Sequence, residues 1–107
     1  MNRSTKKSKG LAKLEDIDTV FRALAHSSRR HILLVVHFHG GKMTAGEIAK
    51  RFSCKWPTTS RHLRRLRDAG LLAVEKDGRE RTYVLRKDRL ESIAVDWFKP
   101  IFEDDTQ

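Results

Sequence analysis

The sequence lacks several features that other classes of protein require. It has a single cysteine, Cys54, among 107 residues, which excludes an intramolecular disulfide and a metal site built from several thiolates. No apolar run approaches the length of a membrane span, and the N-terminus lacks the apolar stretch of a signal peptide. We therefore expect one small cytoplasmic domain with no membrane-spanning part.

Acidic residues are scarce relative to basic ones. The chain has 14 Asp and Glu against 23 Lys and Arg, which gives a net charge of +9. Such an excess fits a polyanionic partner, either nucleic acid or a membrane surface. Residues 1–10 are basic and almost devoid of apolar side chains, so we expect a disordered tail that either tracks along phosphates or only keeps the protein soluble. The folded domain should span residues 11–104.

The spacing of apolar residues predicts two helices at the start of the domain. The first, over residues 11–26, has apolar side chains every three or four positions: Leu14, Ile17, Val20, Phe21 and Leu24. Ser27 is a candidate N-cap for a second helix over residues 28–38, which Gly40 and Gly41 end. The second helix should lie at the centre of the core because it is apolar nearly all round, at Ile32, Leu33, Val35 and Val36.

A helix-turn-helix is predicted next. Thr44 and Glu47 have the spacing of a capping box, and they open a short helix whose inward residues should be Ala45, Ile48, Ala49 and Phe52. After a turn over residues 53–56 comes a helix with Pro57 in its first turn and Gly70 as its stop. At about 100° per residue, its core side holds Thr59, Leu63 and Leu66, and its outer side holds Thr58, Arg61, Arg64, Arg65 and Asp68, with His62 at the border.

The outer side of this helix suits the reading of DNA. Guanidinium groups and hydroxyls bind phosphates and purine edges in a major groove. Taken alone, the segment could equally be a solvated arginine-rich helix, but the short helix and tight turn before it favour the DNA interpretation. Trp56, just before the helix, would either pack on the backbone or stack against sugar and phosphate.

A hairpin and a final helix complete the predicted elements. Asp77 and Gly78 lie between β-prone runs, which indicates a hairpin. Lys76, Arg79 and Arg81 would lie at its tip, either contacting a minor groove or simply forming a polar turn. A helix over residues 86–103, kinked or ended by Pro100, carries a broad apolar stripe that fits a subunit interface or its own core: Leu90, Ile93, Ala94, Trp97, Phe98, Ile101 and Phe102.

Several segments resemble one family of bacterial regulators. Residues 21–33 (FRALAHSSRRHIL), 44–49 (TAGEIA), 57–63 (PTTSRHL) and 66–71 (LRDAGL) are similar to the arsenic-repressor (ArsR) family of transcriptional regulators, and the resemblance covers roughly residues 14–102. As a set these motifs are specific, whereas any one alone would be weak. The chain looks most like a subgroup of metal-independent members, some of which repress their own operons, at residues 44–47 (TAGE), Pro57 and residues 96–98 (DWF).

The resemblance implies a mainly helical winged helix-turn-helix with a small β-hairpin, in the order α-α-α-α-β-β-α. It implies a homodimeric repressor joined by its first and last helices, with each fourth helix in the major groove of one half of an inverted repeat. The implied dimer contacts are Leu14, Ile17, Phe21, Leu90, Ile93, Trp97, Phe98 and Ile101. The implied contacts to double-stranded DNA are Trp56, Pro57, Thr58, Ser60, Arg61 and His62, and the wing at Lys76, Arg79 and Arg81, to which Arg64 and Arg65 are added from the helix pattern.

The familiar metal sites of that family are missing. Where metal-responsive members carry a Cys-x-Cys pair, this chain has Thr44 and Gly46, and no histidine follows His62. His37 and His39 are two apart on a helix and point in different directions, so we expect no shared metal ion there. Cys54 would be either an inert buried thiol or a redox sensor, and any effector is unknown.

No catalytic constellation is present. Ser60 and His62 face different ways on a helix and have no orienting carboxylate at a sensible spacing, so we expect neither an enzyme nor a cofactor. Two other hypotheses stay open. One is a winged helix that acts as a protein-interaction or RNA-binding module, and the other is a ligand-responsive switch added to DNA binding.

Overall fold

The computed structural model describes residues 9–52 and 55–103. Four helices come first, α1 (Lys9–Leu24), α2 (Ser27–Phe38), α3 (Ala45–Arg51) and α4 (Trp56–Asp68), with a short strand β1 (Lys42–Thr44) before α3. The hairpin β2 (Leu72–Asp77) and β3 (Glu80–Leu85) follows, and then α5 (Lys87–Ile93), a π-helical segment (Ala94–Phe98) and α6 (Lys99–Phe102). The predicted mainly helical fold with a small hairpin is confirmed.

Parts of three predictions lie outside the described residues. These parts are residues 1–8 of the expected tail, residue 104 of the expected domain, and Ser53 and Cys54 of the helix-turn-helix turn. The first helix already begins at Lys9, two residues before the predicted start, and it ends at Leu24 rather than at residue 26. None of the helices described is both long and apolar enough to cross a membrane.

The core lies between α1, α2, α4 and one face of the sheet. Helix α2 contributes Ile32, Leu33 and Val36, as predicted, and α4 contributes Leu63 and Leu66. The other buried apolar side chains come from α1, α3, the turn after α4, the sheet and α5: Ile17, Val20, Ala23, Met43, Ile48, Ala69, Leu71, Leu72, Tyr83 and Ile93. In α3 only Ile48 is fully buried. Ala49 is exposed, so its predicted inward position was wrong. It lies about 100° around the helix from Ile48, outside the side on which Ala45 and Phe52 pack against the core.

Helix α4 ends where the sequence predicts, in a Schellman motif. The amide of Leu71 donates to the carbonyl of Leu66 and that of Gly70 to the carbonyl of Arg67, both at 2.9 Å. Gly70 has φ +79°, a left-handed conformation that other residues adopt only at a cost. The motif turns the chain directly into β2 and buries Leu66 and Leu71 together. The same pair of hydrogen bonds ends α2 at Gly40 and Gly41.

The sheet has a third strand that the sequence did not predict. The strand order is β1-β3-β2, all antiparallel. Met43 of β1 lies opposite Tyr83, which has Val74 of β2 on its other side. A three-residue strand is too short to show a period-two pattern, and this one exists because β3 offers it a free edge. It leads straight into Thr44, the N-cap of α3.

The start of α2 differs from the prediction. Ser27 is the first helical residue, and the N-cap is His26, which makes no side-chain capping hydrogen bond. The corner is held by two arginines instead: Arg29 Nε donates to the carbonyl of Ala23 and Arg30 Nη1 to that of Leu24, each at 2.7 Å. These carbonyls at the end of α1 have no partner within the helix, so the arginines satisfy them from the next helix.

The last helical stretch is not one regular α-helix. It begins at Lys87, widens to π geometry over Ala94–Phe98 and returns to α geometry at Lys99. The amide of Lys99 donates to the carbonyl of Ala94, five residues back. Pro100 has no amide hydrogen, and its ring would clash with the carbonyl four residues earlier in an α-helix. The predicted disturbance by Pro100 is therefore relieved by a wider turn upstream rather than by a sharp end.

Candidate nucleic-acid interface

Helix α4 presents two chemically different faces. Thr59, Leu63 and Leu66 are buried against the core, as predicted. On the outer side the side chains of Arg61, Arg64, Arg65 and Asp68 are exposed, and Thr58, Ser60 and His62 are half-buried beside them. The structure therefore brings three guanidinium groups to one solvent-facing surface, on a helix whose orientation is fixed by its buried face.

The N-terminal turn of α4 is open to solvent. Lys55 is the N-cap and makes no side-chain capping hydrogen bond, and Pro57 lies in the first turn, where an amide hydrogen would have no intrahelical partner to lose. Trp56 is 41% exposed, so its indole is not packed into the core. The amides of Thr58 and Thr59 already donate to the carbonyl of Lys55, so what this end of the helix offers is a flat aromatic surface, which suits contact with sugar and phosphate.

His62 is held from inside the protein. Its Nδ1 lies 3.4 Å from Arg29 Nη1. A guanidinium can only donate, so this contact fits a neutral imidazole with its proton on Nε2. Burial lowers the pKa of His62, and the positive charges of Arg29, His26 and Arg61 lower that pKa further. The imidazole is thus kept neutral at the edge of the arginine surface.

Arg29 is a residue of this site that the sequence reasoning missed. It is only 8% exposed and joins three elements, since it donates to the carbonyls of Ala23 and Arg22 in α1 and contacts His62 in α4. Burial lowers the pKa of its guanidinium, as does the charge of Arg65. Its position in an otherwise polar stretch, 33 residues from His62, gave no sequence signal of burial.

The wing is a tight two-residue hairpin. Asp77 pairs with Glu80 and Lys76 with Arg81, which leaves Gly78 and Arg79 as the loop, and Gly78 has φ +66°, as the mirror-image hairpin turns require. Lys76, Arg79 and Arg81 are all exposed, as a contact to DNA needs. The tip is less purely basic than the prediction emphasised, because Asp77 and Glu80 share it.

A separate apolar surface lies on the first and last helices. Phe21 of α1 makes edge-to-face contacts with Trp97 and Phe98, with ring centroids 6.1 Å apart in each case. The rest of this surface is at least partly exposed apolar side chain: Leu14, Leu90, Val95, Ile101 and Phe102. Asp16 and Arg89, bridging α1 and α5, form a two-pronged ion pair that fixes the two elements together.

Two of the expected dimer residues are not on this surface. Ile17 is 3% and Ile93 5% exposed, because both side chains pack in the core of the subunit itself. Very little of their area is left for contact with a second subunit. Their role is to fix α1 and α5 beneath the apolar surface, which narrows the candidate interface to Leu14, Phe21, Leu90, Trp97, Phe98 and Ile101.

His37 and His39 have different partners. His39 Nδ1 lies 2.9 Å from the carbonyl oxygen of Lys42, and its Nε2 lies 3.5 Å from Glu47 Oε2. His37 makes an edge contact with Phe38. Within residues 9–52 and 55–103, no group of three or more metal-ligating side chains is found. His39 instead supports the cap of α3.

The sequence matches known regulators over most of its folded part. The family description "Helix-turn-helix domain" matches residues 24–75. The chain is 33% identical to the transcriptional repressor SdpR of Bacillus subtilis over 81 residues, which is 76% of this chain and 87% of that protein. It is 30% identical to the arsenical resistance operon repressor of Staphylococcus aureus over 79 residues, 74% of each chain.

Solved structures of transcriptional regulators have the same fold as this chain. An ArsR-like transcriptional regulator from Rhodococcus sp. RHA1 superposes with a TM-score of 0.76 and 26% identity, over 88% of this chain and 87% of the other. A homodimeric winged helix-turn-helix DNA-binding domain from Mycobacterium bovis has the same fold, with a TM-score of 0.70 at 21% identity over 95% and 92% of the two chains. The chain belongs to the ArsR family of winged helix-turn-helix transcriptional regulators.

Proposed function

We propose that this protein is a cytoplasmic repressor that binds an inverted repeat in double-stranded DNA as a homodimer. The observation that carries the proposal is the exposed arginine face of α4, set on a helix whose opposite face is buried. Side chains on such a helix reach base edges in a major groove while the rest of the domain contacts the backbone.

The residues of α4 take different roles in this proposal. Arg61, Arg64 and Arg65 supply contacts to bases or phosphates, because a guanidinium fork matches both guanine edges and phosphate oxygens. Thr58 and Ser60 set the register with their hydroxyls. Trp56 and Pro57 lie against the backbone at the N-terminus of the helix. His62, half-buried and held by Arg29, positions the helix more than it reads bases.

The wing would extend the contact along the backbone. Lys76, Arg79 and Arg81 are exposed at the end of the β2–β3 ribbon, and the base of this ribbon is fixed by the pairing of β3 with β1. Side chains of this kind neutralise phosphates and release counterions. The acidic neighbours Asp77 and Glu80 limit how closely the tip can approach, so we assign the wing to orientation rather than to sequence reading.

Dimerisation is supported by the apolar surface of α1 and the last helices. Aromatic and aliphatic side chains there remain partly exposed in the single subunit, and contiguous apolar patches of this kind mark protein interfaces. A protein of the same fold is homodimeric, which supports a second copy of this chain as the partner that covers this surface. A dimer would then place two copies of α4 on two half-sites.

The direct test is selection of binding sites from a random duplex library by the purified protein at near-physiological salt, with sedimentation to give the oligomeric state. We expect an enriched inverted repeat whose half-site centres are about one helical turn apart, or a multiple of that, bound by a dimer. A monomer that enriches no sequence would contradict the proposal and favour the interaction or RNA-binding module.

A further inference from the structure

A cavity of about 400 Å³ opens between α1, the start of α2 and α4. It lies on the flank of α4, behind the surface assigned above to DNA. Its volume is within the range of small-ligand sites. The basic side chains that line it are Arg22, His26, Arg29, Arg61, His62 and Arg65.

The charge of this cavity is strongly unbalanced. Four guanidinium groups face a single lining carboxylate, Asp68, and that carboxylate is shared with Arg67, whose Nη2 lies 3.8 Å away. Like charges held this close repel one another, and the concave wall reduces the solvent that could screen them. An anion in the cavity would relieve this repulsion.

Arg29 gives an independent indication of an anion. It is more than nine-tenths buried, and buried charges in proteins are normally paired with an opposite charge. In the part of the chain that the structure describes, its partners are the carbonyls of Ala23 and Arg22 and the imidazole of His62, not a carboxylate. The charged neighbour that acts on its pKa is Arg65, which is also positive.

We propose that this cavity is a binding site for a phosphate group. Arginine forks recognise phosphate by paired, charge-assisted hydrogen bonds, and a neutral imidazole such as His62 can add a further donor. Arg22 and Arg65 lie on the exposed rim and would close over the anion, whereas Arg29 supplies charge from the floor. Arg61 and Arg65 belong both to this cavity and to the outer face of α4.

The phosphate could come from two sources with different consequences. A backbone phosphate of bound DNA would make the cavity an anchoring point beside the major groove. This case rests on the proposed function. A free phosphate compound would occupy the cavity in the absence of DNA, and this binding does not rest on the proposed function. In a protein that also binds DNA, the compound would hold Arg61 and Arg65 back from the groove.

The first arm of the test uses the full-length protein without DNA. Inorganic phosphate is titrated at pH 7 with chloride exchanged to keep the ionic strength constant, and binding is followed by amide chemical shifts. We expect saturable binding of one phosphate per subunit, with shifts centred on the start of α2 and the flank of α4. Arg22→Gln and Arg65→Gln should each weaken it roughly tenfold, as expected for the loss of one charge-assisted hydrogen bond.

Arg51→Gln is the matched control. Arg51 is exposed at the end of α3 and does not line the cavity, so this variant removes the same charge from the protein and should leave phosphate affinity unchanged. The amide spectrum of each variant also reports whether the fold is intact. Binding that does not exceed that of chloride, or that falls equally in all three variants, would overturn the proposal, whatever the protein does with DNA.

The second arm identifies the source of the phosphate. If DNA supplies it, Arg22→Gln should reduce the salt dependence of duplex binding by about one counterion, and inorganic phosphate should compete with DNA beyond its ionic-strength effect. If a free compound supplies it, Arg22→Gln should leave that salt dependence unchanged while still weakening phosphate binding. If the protein selects no DNA sequence but binds phosphate as described, the proposed function is contradicted and the phosphate site is not.

Discussion

Arg61 is the side chain on which discrimination between DNA sequences should depend most directly. It is exposed on the outer face of α4, and it lies one turn from the N-terminus, the part of a recognition helix that reaches base edges. If it reads a guanine, Arg61→Ala should cost about 1–3 kcal/mol of binding free energy on the selected site and relax the preference at one base pair. Equilibrium binding to the selected site and to its single-base variants measures both effects.

Arg67→Ala is the control for that substitution, because Arg67 is exposed on the same helix but lies away from Arg61 and beside Asp68. It should change affinity little. A uniform loss on every sequence after Arg61→Ala would show a phosphate contact instead of base reading.

His62 makes a prediction about pH. Its pKa in the folded protein is lowered from 6.5, first by burial and then by neighbouring positive charges. The unfolded chain therefore binds more protons than the folded one just below pH 6.5, so the free energy of unfolding is highest above that pH and falls as the pH is lowered through the folded-state pKa. Urea unfolding at pH 7.5 and 5.5 should show this loss, and His62→Gln should reduce it.

The comparison for His62 is His37→Gln, which alters an exposed histidine on α2. This variant should lose stability between the two pH values as the unaltered protein does. The idea fails if His62→Gln shows the same pH dependence as the unaltered protein.

At the scale of single elements, α3 depends on its cap. Thr44 Oγ1 accepts from the amide of Glu47 at 3.1 Å, and Glu47 Oε1 accepts from the amide of Thr44 at 2.9 Å. A seven-residue helix has few hydrogen bonds of its own, so the cap is a large part of its stability. Thr44→Ala should lower the free energy of unfolding by about 1 kcal/mol, measured by urea denaturation.

Thr19→Ala tests whether that loss is specific to capping. The hydroxyl of Thr19 donates to the carbonyl of Glu15 in the middle of α1, an arrangement that stabilises a helix little. Its removal should be nearly neutral. Equal losses in the two variants would mean that the capping box contributes nothing beyond an ordinary threonine.

The elements that the sequence predicted are those with local signals. The capping box, the glycine stop of α4, the hairpin and the buried and cationic faces of α4 each depend on residues within one or two turns of one another. The elements that it missed depend on distant partners. Strand β1 needs the edge of β3, about 40 residues away along the chain. The π-helical segment before Pro100 is an exception, because its cause is local, but a proline in a sequence does not tell whether the helix ends, kinks or widens.

The same distinction holds for the site. The exposed arginines of α4 follow from helical periodicity alone. The burial of Arg29, its contact with His62 and the cationic cavity arise only when α1, α2 and α4 pack together. Ile17 and Ile93 were assigned to the dimer because a helical stripe does not tell which of its residues face the subunit's own core.

For the whole molecule, the described surface carries two different chemical regions. One is cationic, on α4 and the wing, and the other is apolar, on α1 and the last helices. Each half-site contact is small, so a single domain would bind DNA weakly, whereas a dimer joins two such contacts at high effective concentration. In the proposed dimer, the apolar region would therefore determine the affinity for an inverted repeat without contacting DNA itself.

Ile101→Asp tests that dependence, because Ile101 is 57% exposed and its replacement should leave the subunit folded. An unpaired carboxylate buried in an apolar interface costs about 3 kcal/mol or more, which corresponds to a dimer dissociation constant raised by about two orders of magnitude. Sedimentation should then find monomers, and affinity should fall much more for the inverted repeat than for one half-site. Phe38→Asp, at an equally apolar but separate position on α2 that is 79% exposed, should remain dimeric. The reverse result, a dimeric Ile101→Asp and a monomeric Phe38→Asp, would move the interface to α2.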